Sequence, residues 1–520
     1  PKAAVSNAVR DSKVWNIKGM TAKAKVFDII AGGRIAVLNA TEAFENDIYP
    51  AYRGVLKRGD KKTVAMFDLS GDLIKRGEIG LFSEVRDALE AKEGDEVIIE
   101  HLERPASIDY VKKKLDGKVL EENEIDVIIT DLMDNRLSQI ELAAFISAMY
   151  IRGMSDAETV ALTNSIVKSG DILDIGKKPI LDKHSLGGVA GNRTTMVLVP
   201  IIAAAGLYIP KSSSRSITSA AGTADTMEVL APVDIPINEL KKIVLKTKGS
   251  IVWGGGMNLA AADDRLIKIR HPLSLDPRGV MLASVLAKKK AVSATHVIID
   301  IPIGRGAKVQ DMNEAQDLAD DLIHTGKELD MAVEALITDG SDPIGIGIGP
   351  ALECKDVLEV LGGAGPYDLR EKSCELAGKL LELCGKVGKG RGRAVAEELI
   401  QNGKAMKKFR EIIEAQGGDP KVKIEDLPIG EHKYTVTAPK NGRINHIDNR
   451  MLSKIARAAG SPRDKGAGIV LHAEGGDKVR KGDVLFEIYA ENPAKLNFAI
   501  KALETWNPIE LEKYLLRSIR

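Results

Sequence analysis

The spacing of apolar positions changes three times along the chain, and each change marks a different architecture. From about Ala22 to Pro105 the apolar residues fall in short runs, Lys25–Ile30, Arg34–Leu38, Thr63–Phe67 and Glu96–Ile99, broken by Gly32-Gly33 and Gly59-Asp60. This predicts a small β-rich domain over residues 20–105. Over 106–176 the spacing becomes helical: Ser138-x-x-Glu141 and Ser155-x-x-Glu158 read as capping boxes, Gly153 and Gly170 sit where helices end, and Val160, Ile166 and Val167 form a core-facing stripe. From 177 strands alternate with helices, at Pro179–Leu181, Leu207–Ile209, His296–Ile301 and Glu334–Ile337, which predicts a central α/β domain with a largely parallel sheet over 177–256 and 291–425. Residues 257–290 interrupt it and read as helical around breaks at His271-Pro272 and Asp276-Pro277. Over 426–520 strands return at Tyr434–Val436, Gly466–Leu471 and Asp483–Tyr489. The fold class expected is therefore mixed and multi-domain, α/β plus α, with β-rich domains at both ends. Residues 1–19 read as a leader or tag, with Met20 as the natural start.

Composition narrows the function. Lys plus Arg and Asp plus Glu number 74 each, which gives no reason to expect nucleic acid as a partner. The three cysteines, Cys354, Cys374 and Cys384, fit neither a disulfide framework nor a Cys-x-x-Cys metal site, and a cytoplasmic location fits best. The longest apolar run, Met196 to Ile209, contains Pro200 and is short for a membrane span, so it reads as a buried helix and the strand after it. The alternating glycines of Asp342–Gly349 do not match a dinucleotide fingerprint, and a helix is expected near Pro350. No cofactor and no metal is expected; Asp263-Asp264 is the only nearby acidic doublet.

Two polar turns carry the chemistry. Asp182-Lys-His-Ser-Leu-Gly-Gly188 follows a short apolar strand and leads through Gly191-Asn-Arg-Thr-Thr195 into an apolar helix. Strand, glycine loop and helix N-terminus favour an anion, with Lys183 supplying charge and Ser185 and Thr194 hydroxyls for inorganic phosphate. The Gly-Lys-Ser/Thr of a nucleotide P-loop is absent. The second turn puts five serines, two threonines and Arg215 within Ser212 to Thr223, a set suited to phosphate and ribose. A capped polar turn is the plainer account of either stretch alone; their succession after two strands favours a phosphate-sugar site.

Asp182-Lys-His-Ser-x-Gly-Gly-Val189 and Gly222-Thr-x-Asp-x-x-Glu228 resemble the signature of thymidine and pyrimidine-nucleoside phosphorylases, from about Tyr110 to the C-terminus. Where those enzymes carry a glycine-rich run, Ser214–Ser219 and Ala220-Ala221 are similar to the archaeal-type AMP phosphorylase branch. The resemblance implies phosphorolysis of AMP, and also of CMP and UMP, to ribose 1,5-bisphosphate and free base. It implies nucleotide contacts from Gly188, Ser214, Arg215, Ser216, Ile217, Thr218, Ser219, Thr223, Ser284 and Lys308. It also implies that 257–290 rejoin the helical lobe and that the N-terminal domain serves assembly as a homodimer or higher homo-oligomer. The C-terminal domain resembles the barrel-sandwich of biotinyl and lipoyl carriers without the Met-Lys-Met of a biotin carrier. Asp276, in a break where a turn can aim it at a cleft, is the candidate proton donor to the departing base, and His184 is its competitor. Other readings are a pyrimidine-nucleoside phosphorylase, an anthranilate-type phosphoribosyltransferase needing metal-bound diphosphate, and a non-catalytic nucleotide sensor.

Overall fold

The structure, a computed structural model, describes residues 20–216 and 219–512. The expectation for residues 1–19 lies outside it. Two compact units emerge: one comprises the chain to Ala161 with Arg265–Pro277, the other Leu162–Asp264 with the chain from Arg278 onward.

In the first unit, six strands close into a barrel in the order β1-β5-β2-β4-β3-β6. They are β1 (Met20–Val26), β2 (Ile35–Asn39), β3 (Arg53–Arg58), β4 (Lys61–Ser70), β5 (Glu78–Leu81) and β6 (Glu96–His101). Alternate positions turn inward, so that Ala22 and Ala24 share a core with Leu56, Phe67, Ile79, Leu81, Val97 and Ile99. The sequence pattern missed β3 and β5. Four of six residues in β3 are Arg, Gly or Lys, and β5 is only four residues long with Gly80 inside it. The first strand also lies earlier than Lys25–Ile30, ending at Val26.

Helices Ser107–Leu115, Glu122–Met133 and Gln139–Arg152 follow in the same unit. Both capping boxes form: Ser138 and Ser155 hydroxyls each accept from the amide three residues on at 3.2 Å, and the Glu carboxylates accept from the serine amides at 2.6 and 2.9 Å. Glu158 also takes Lys114 at 2.7 Å, both side chains buried. Arg53 of β3 reaches Glu141 at 3.0 Å and ties barrel to helices.

The second unit is built on parallel strands. β7 (Leu181–Ser185), β8 (Ile209–Ser213), β9 (Gly249–Trp253), β10 (His296–Ile303) and β11 (Ala332–Asp339) form a sheet in the order β11-β10-β7 and a pair β8-β9, adjoined by a bridge between Ile180 and Tyr208. The helix Thr194–Ala204 is buried throughout its first ten residues, with Pro200 inside it. The inner strands β7 and β10 are buried along most of their length, as parallel strands covered on both faces are, while the edge strand β11 is half-buried.

The interruption differs from its expectation. Helix Ala261–Leu273 continues through His271-Pro272, and the chain breaks only between it and helix Arg278–Ala291. Of the expected 257–290, only Arg265–Pro277 groups with the helices of the first unit.

The chain ends in two sheets of order β12-β15-β17-β13 and β16-β14-β18, from β12 (Gly347–Ile348), β13 (His432–Thr437), β14 (Gly442–Ile447), β15 (Gly468–Leu471), β16 (Lys478–Val479), β17 (Val484–Ala490) and β18 (Ile509–Leu511). Because β12 belongs to the glycine-alternating segment, that segment is part of the C-terminal sheet; the expected helix follows at Pro350–Leu361. No helix among the described residues is long and apolar enough to cross a membrane.

Candidate functional site

The first turn begins inside the strand. β7 is Leu-Asp-Lys-His-Ser, so the charged residues occupy a buried strand position that Pro179–Leu181 was expected to fill. They are tolerated because each charge has a partner. Asp182 accepts from Lys289 at 2.6 Å and lies 3.3 Å from Lys211. Lys183 donates to the Thr194 hydroxyl at 2.9 Å and stands 3.9 Å from Asp300. Asp300 also accepts from Ser185 at 2.8 Å and from Thr338 at 2.6 Å. Gly188 and Gly191 then bend the chain at φ of 93° and 71°. A Cβ on Gly188 would lie 2.8 Å from the Lys308 amide nitrogen, and one on Gly191 2.2 Å from the Ile344 carbonyl oxygen, so both positions need glycine for close approach as well as for φ. The turn delivers Thr194 and Thr195 to the start of their helix.

The second turn leaves β8 and ends at Gly222, where helix Thr223–Met227 begins. Asp225 holds it closed by accepting from the amides of Ser216 at 2.7 Å and Gly222 at 2.9 Å. Arg215 makes a forked pair with Glu228 at 2.7 and 2.5 Å, reaches Asp225 at 3.3 Å and stacks over the Trp253 ring at 4.9 Å. The Arg215 fork, joined by Lys465, holds the Glu228 carboxyl down at about 2. Arg193 links the two turns, donating to Thr223 at 3.1 Å and to the Ala221 carbonyl at 2.9 Å while pairing with Glu353.

Between the turns lies a cleft of about 270 Å³ whose lining, among the described residues, belongs to the second unit. Lys183, Lys211, Lys288 and Lys289 all reach its wall, against Asp264 as the one carboxylate there among the described residues. Burial lowers the Lys183 ammonium to about 8; Asp300 works against this, while Lys372, Arg193 and Lys289 push the same way. Burial first, then Lys289, Lys211, Lys288 and Lys183, hold His184 well below its usual range. Its imidazole is therefore neutral near pH 7 and has no cationic proton to give. Burial pushes the Asp300 carboxyl up, but Lys183, Lys372 and its two hydroxyl donors outweigh that, and the net shift is downward. The Ser213 hydroxyl, on the same wall, is buried with no partner among the described residues, a donor and acceptor available to a ligand.

Of the residues picked out in the sequence, Lys183, His184, Ser185, Gly188, Ser214, Ser219 and Thr223 line the cleft together. Thr194 stands behind Lys183 as its hydrogen-bond partner. Ser284 stands behind Lys288: its hydroxyl donates at 2.8 Å to Asp263, which also takes Lys288 at 2.7 Å. Ser216 closes its own turn onto Ser219, Arg215 is engaged by Glu228, and Lys308 meets the loop through its backbone at Gly188. Ile217 and Thr218 lie outside the described residues. Asp276 belongs to the first unit, where its half-exposed carboxylate pairs with Arg270. Sequence reasoning passed over Lys211, Lys288 and Lys289. Lys211 directly precedes the serines, and Lys288-Lys289-Lys290 looks like an ordinary solvated helix end, yet Lys289 is fully buried. Among the described residues no group of three or more His, Cys, Asp or Glu could hold a metal.

Known proteins resemble the chain along nearly its whole length. The glycosyl transferase family a/b domain matches residues 177–406, that family's helical bundle domain 108–170, and the pyrimidine nucleoside phosphorylase C-terminal domain 443–510. AMP phosphorylase of Pyrococcus furiosus is 47% identical over 96% of this chain and 99% of its own. The AMP phosphorylases of Thermococcus kodakarensis and Methanococcoides burtonii are 46% and 44% identical over the same shares of both chains. Among solved structures, anthranilate phosphoribosyltransferase from Thermus thermophilus aligns with a TM-score of 0.51 at 19% identity, covering 59% of this chain and 99% of that one. That likeness concerns the fold.

Proposed function

The chain belongs to the AMP phosphorylase family, and we propose that it cleaves AMP by phosphorolysis, with CMP and UMP as further substrates. An oxygen of inorganic phosphate attacks the anomeric carbon, the N-glycosidic bond breaks with its electron pair leaving on the base, and the base takes a proton. The products are free base and ribose 1,5-bisphosphate. Phosphate is a co-substrate and no cofactor takes part.

The observation that carries this reading is the convergence of two hydroxyl-rich turns and four lysines on one cleft. Two anions have to be held at once, the attacking phosphate and the 5′-phosphate of the nucleotide, and a cleft whose described wall sets four lysines against one carboxylate suits both. We assign Lys183, Ser185 and Thr194 to the attacking phosphate, with Thr194 acting by orienting the Lys183 ammonium. Gly188, Ser214, Ser219, Thr223, Ser284 and Lys308 belong to the nucleotide side, together with Arg215 and Ser216, which shape the second turn. Asp276 keeps the role of proton donor; His184, neutral among four lysines, is suited to donating a hydrogen bond instead.

A site built around a second anion leaves cations and hydroxyls unpaired when that anion is missing. Adenosine is therefore expected to be cleaved roughly a thousandfold or more less efficiently than AMP, in kcat/KM at equal phosphate. The measurement is release of adenine and of ribose 1,5-bisphosphate from each substrate. Equal efficiency for adenosine and AMP, or for uridine and UMP, would replace this reading by an ordinary nucleoside phosphorylase.

A further inference from the structure

Both turns of the cleft are anchored from behind by the C-terminal segment of the chain. Ala190, between the cleft residues Val189 and Asn192, and Ala220, next to Ala221, are buried in the hydrophobic core formed by that segment, beside Leu452, Ile455 and Ile488. The polar contacts repeat the pattern. The Asn449 side-chain oxygen accepts from the Ala190 amide at 2.8 Å, and its amide group donates to the carbonyls of Gly340 and Ser341 at 3.2 and 3.3 Å. At the second turn, Arg457 donates to the Ser219 carbonyl at 3.2 Å, and Lys465 to the Asp225 carbonyl and the Glu228 carboxylate at 3.2 and 2.7 Å.

Asn449 is the most committed of these. It is 1% exposed, and its side chain bonds three backbone groups on two loops that also meet through the Ile344 amide and the Ala190 carbonyl at 3.0 Å. A buried, fully bonded amide of this kind fixes backbone position more tightly than apolar contact, because any displacement leaves a donor or acceptor unsatisfied. The loop it fixes is the one whose amides and hydroxyls face the anion, and binding of an anion in a preformed cradle is sensitive to sub-ångström placement.

We propose that Asn449 is a positioning residue for the glycine loop, and that the C-terminal domain works as a two-point brace: Asn449 sets the 187–191 loop, and Arg457 with Lys465 sets the second turn. The kinetic part rests on the assignment of the attacking phosphate to the first loop; the mechanical part does not.

The test uses the full chain carrying Asn449→Ala, read by steady-state kinetics and by amide hydrogen exchange. Exchange is expected to accelerate in peptides covering 186–193 and to stay at the wild-type rate over 219–228, which Arg457 and Lys465 still hold at Ser219, Asp225 and Glu228. KM for phosphate is expected to rise tenfold or more while KM for AMP stays within twofold. Unchanged exchange over 186–193 overturns the proposal, and so does a parallel rise of both KM values with exchange accelerated everywhere, which is what plain destabilisation gives. Accelerated exchange confined to 186–193, with no phosphate-dependent release of base from the wild-type chain, leaves the brace standing and overturns the functional reading. Should Asn449→Ala not fold, Asn449→Ser, whose hydroxyl is too short to span both loops, carries the same expectations.

Discussion

Lys183 is held at a value where its charge is lost just above neutrality, and this has an observable sign. Burial lowers the ammonium from the usual lysine range to about 8, so between about 8 and 10.5 the unfolded chain binds the extra proton and the unliganded protein gains stability as pH rises. Phosphate binding runs the other way, since only the charged form attracts the anion. KM for phosphate is therefore expected to be flat below about pH 8 and to rise above it, approaching tenfold per pH unit as one proton is lost. Lys183→Arg, which stays charged throughout, is expected to flatten the upper limb whatever it does to the absolute KM. A wild-type phosphate KM constant from pH 7 to 9.5 would assign the anion to other cations. Lys183 and Ser185, which line the cleft together, were legible only through the succession of two polar turns after two strands, since a capped polar turn was the plainer account of their stretch alone. The engagement of Arg215 was not, because nothing in the local pattern says that a guanidinium is satisfied by a carboxylate on the following helix, at Glu228.

At the scale of elements, the loop between β7 and its helix depends on two close backbone approaches. Gly191 sits at φ 71° with the Ile344 carbonyl 2.2 Å from where its Cβ would be, and Ile344 in turn donates to the Ala190 carbonyl at 3.0 Å. Gly191→Ala adds on the order of 1–2 kcal/mol from the left-handed backbone alone, and the carbonyl has no flexible end to move aside. The expected result is a lower melting temperature together with a phosphate KM raised more than that for AMP; a variant with wild-type melting and kinetics would show the loop to be slack. The strand–loop–helix order itself was readable from the sequence, whereas the register of β7 was not. Hydrophobic periodicity places strands at apolar runs, and this strand carries Asp182 and Lys183 into the core because Lys289, Lys211, Asp300 and Thr194 wait there from four other elements. The same rule hid β3, whose alternate charged residues lie on the outer face of a barrel. Capping boxes, by contrast, are local chemistry, and both formed where the sequence put them.

On the scale of the whole molecule, the barrel of β1–β6 supplies none of the described residues that line the cleft, all of which belong to the second unit. It does present apolar surface. Phe44, Tyr49 and Tyr52 are each about half exposed and stack in a row, with ring centroids 5.9 and 5.4 Å apart. Beside them an apolar groove of about 480 Å³ runs between Ile48, Tyr52, Phe67 and Ile99. A ridge of aromatic side chains next to a groove is self-complementary, which is what a two-fold interface between identical chains requires, and exposed apolar patches of this sort mark association sites. Phe44 and Tyr49 face away from the barrel core, so replacing both by serine in the full chain removes the ridge at little cost to folding. Light scattering on Phe44→Ser/Tyr49→Ser is expected to give a smaller particle mass than the wild-type protein at the same concentration, with turnover per chain retained because the cleft is built elsewhere. An unchanged mass, or a wild-type protein that already runs as a single chain, would leave the barrel without an assembly role and return the ridge to the ordinary exposure that soluble proteins tolerate.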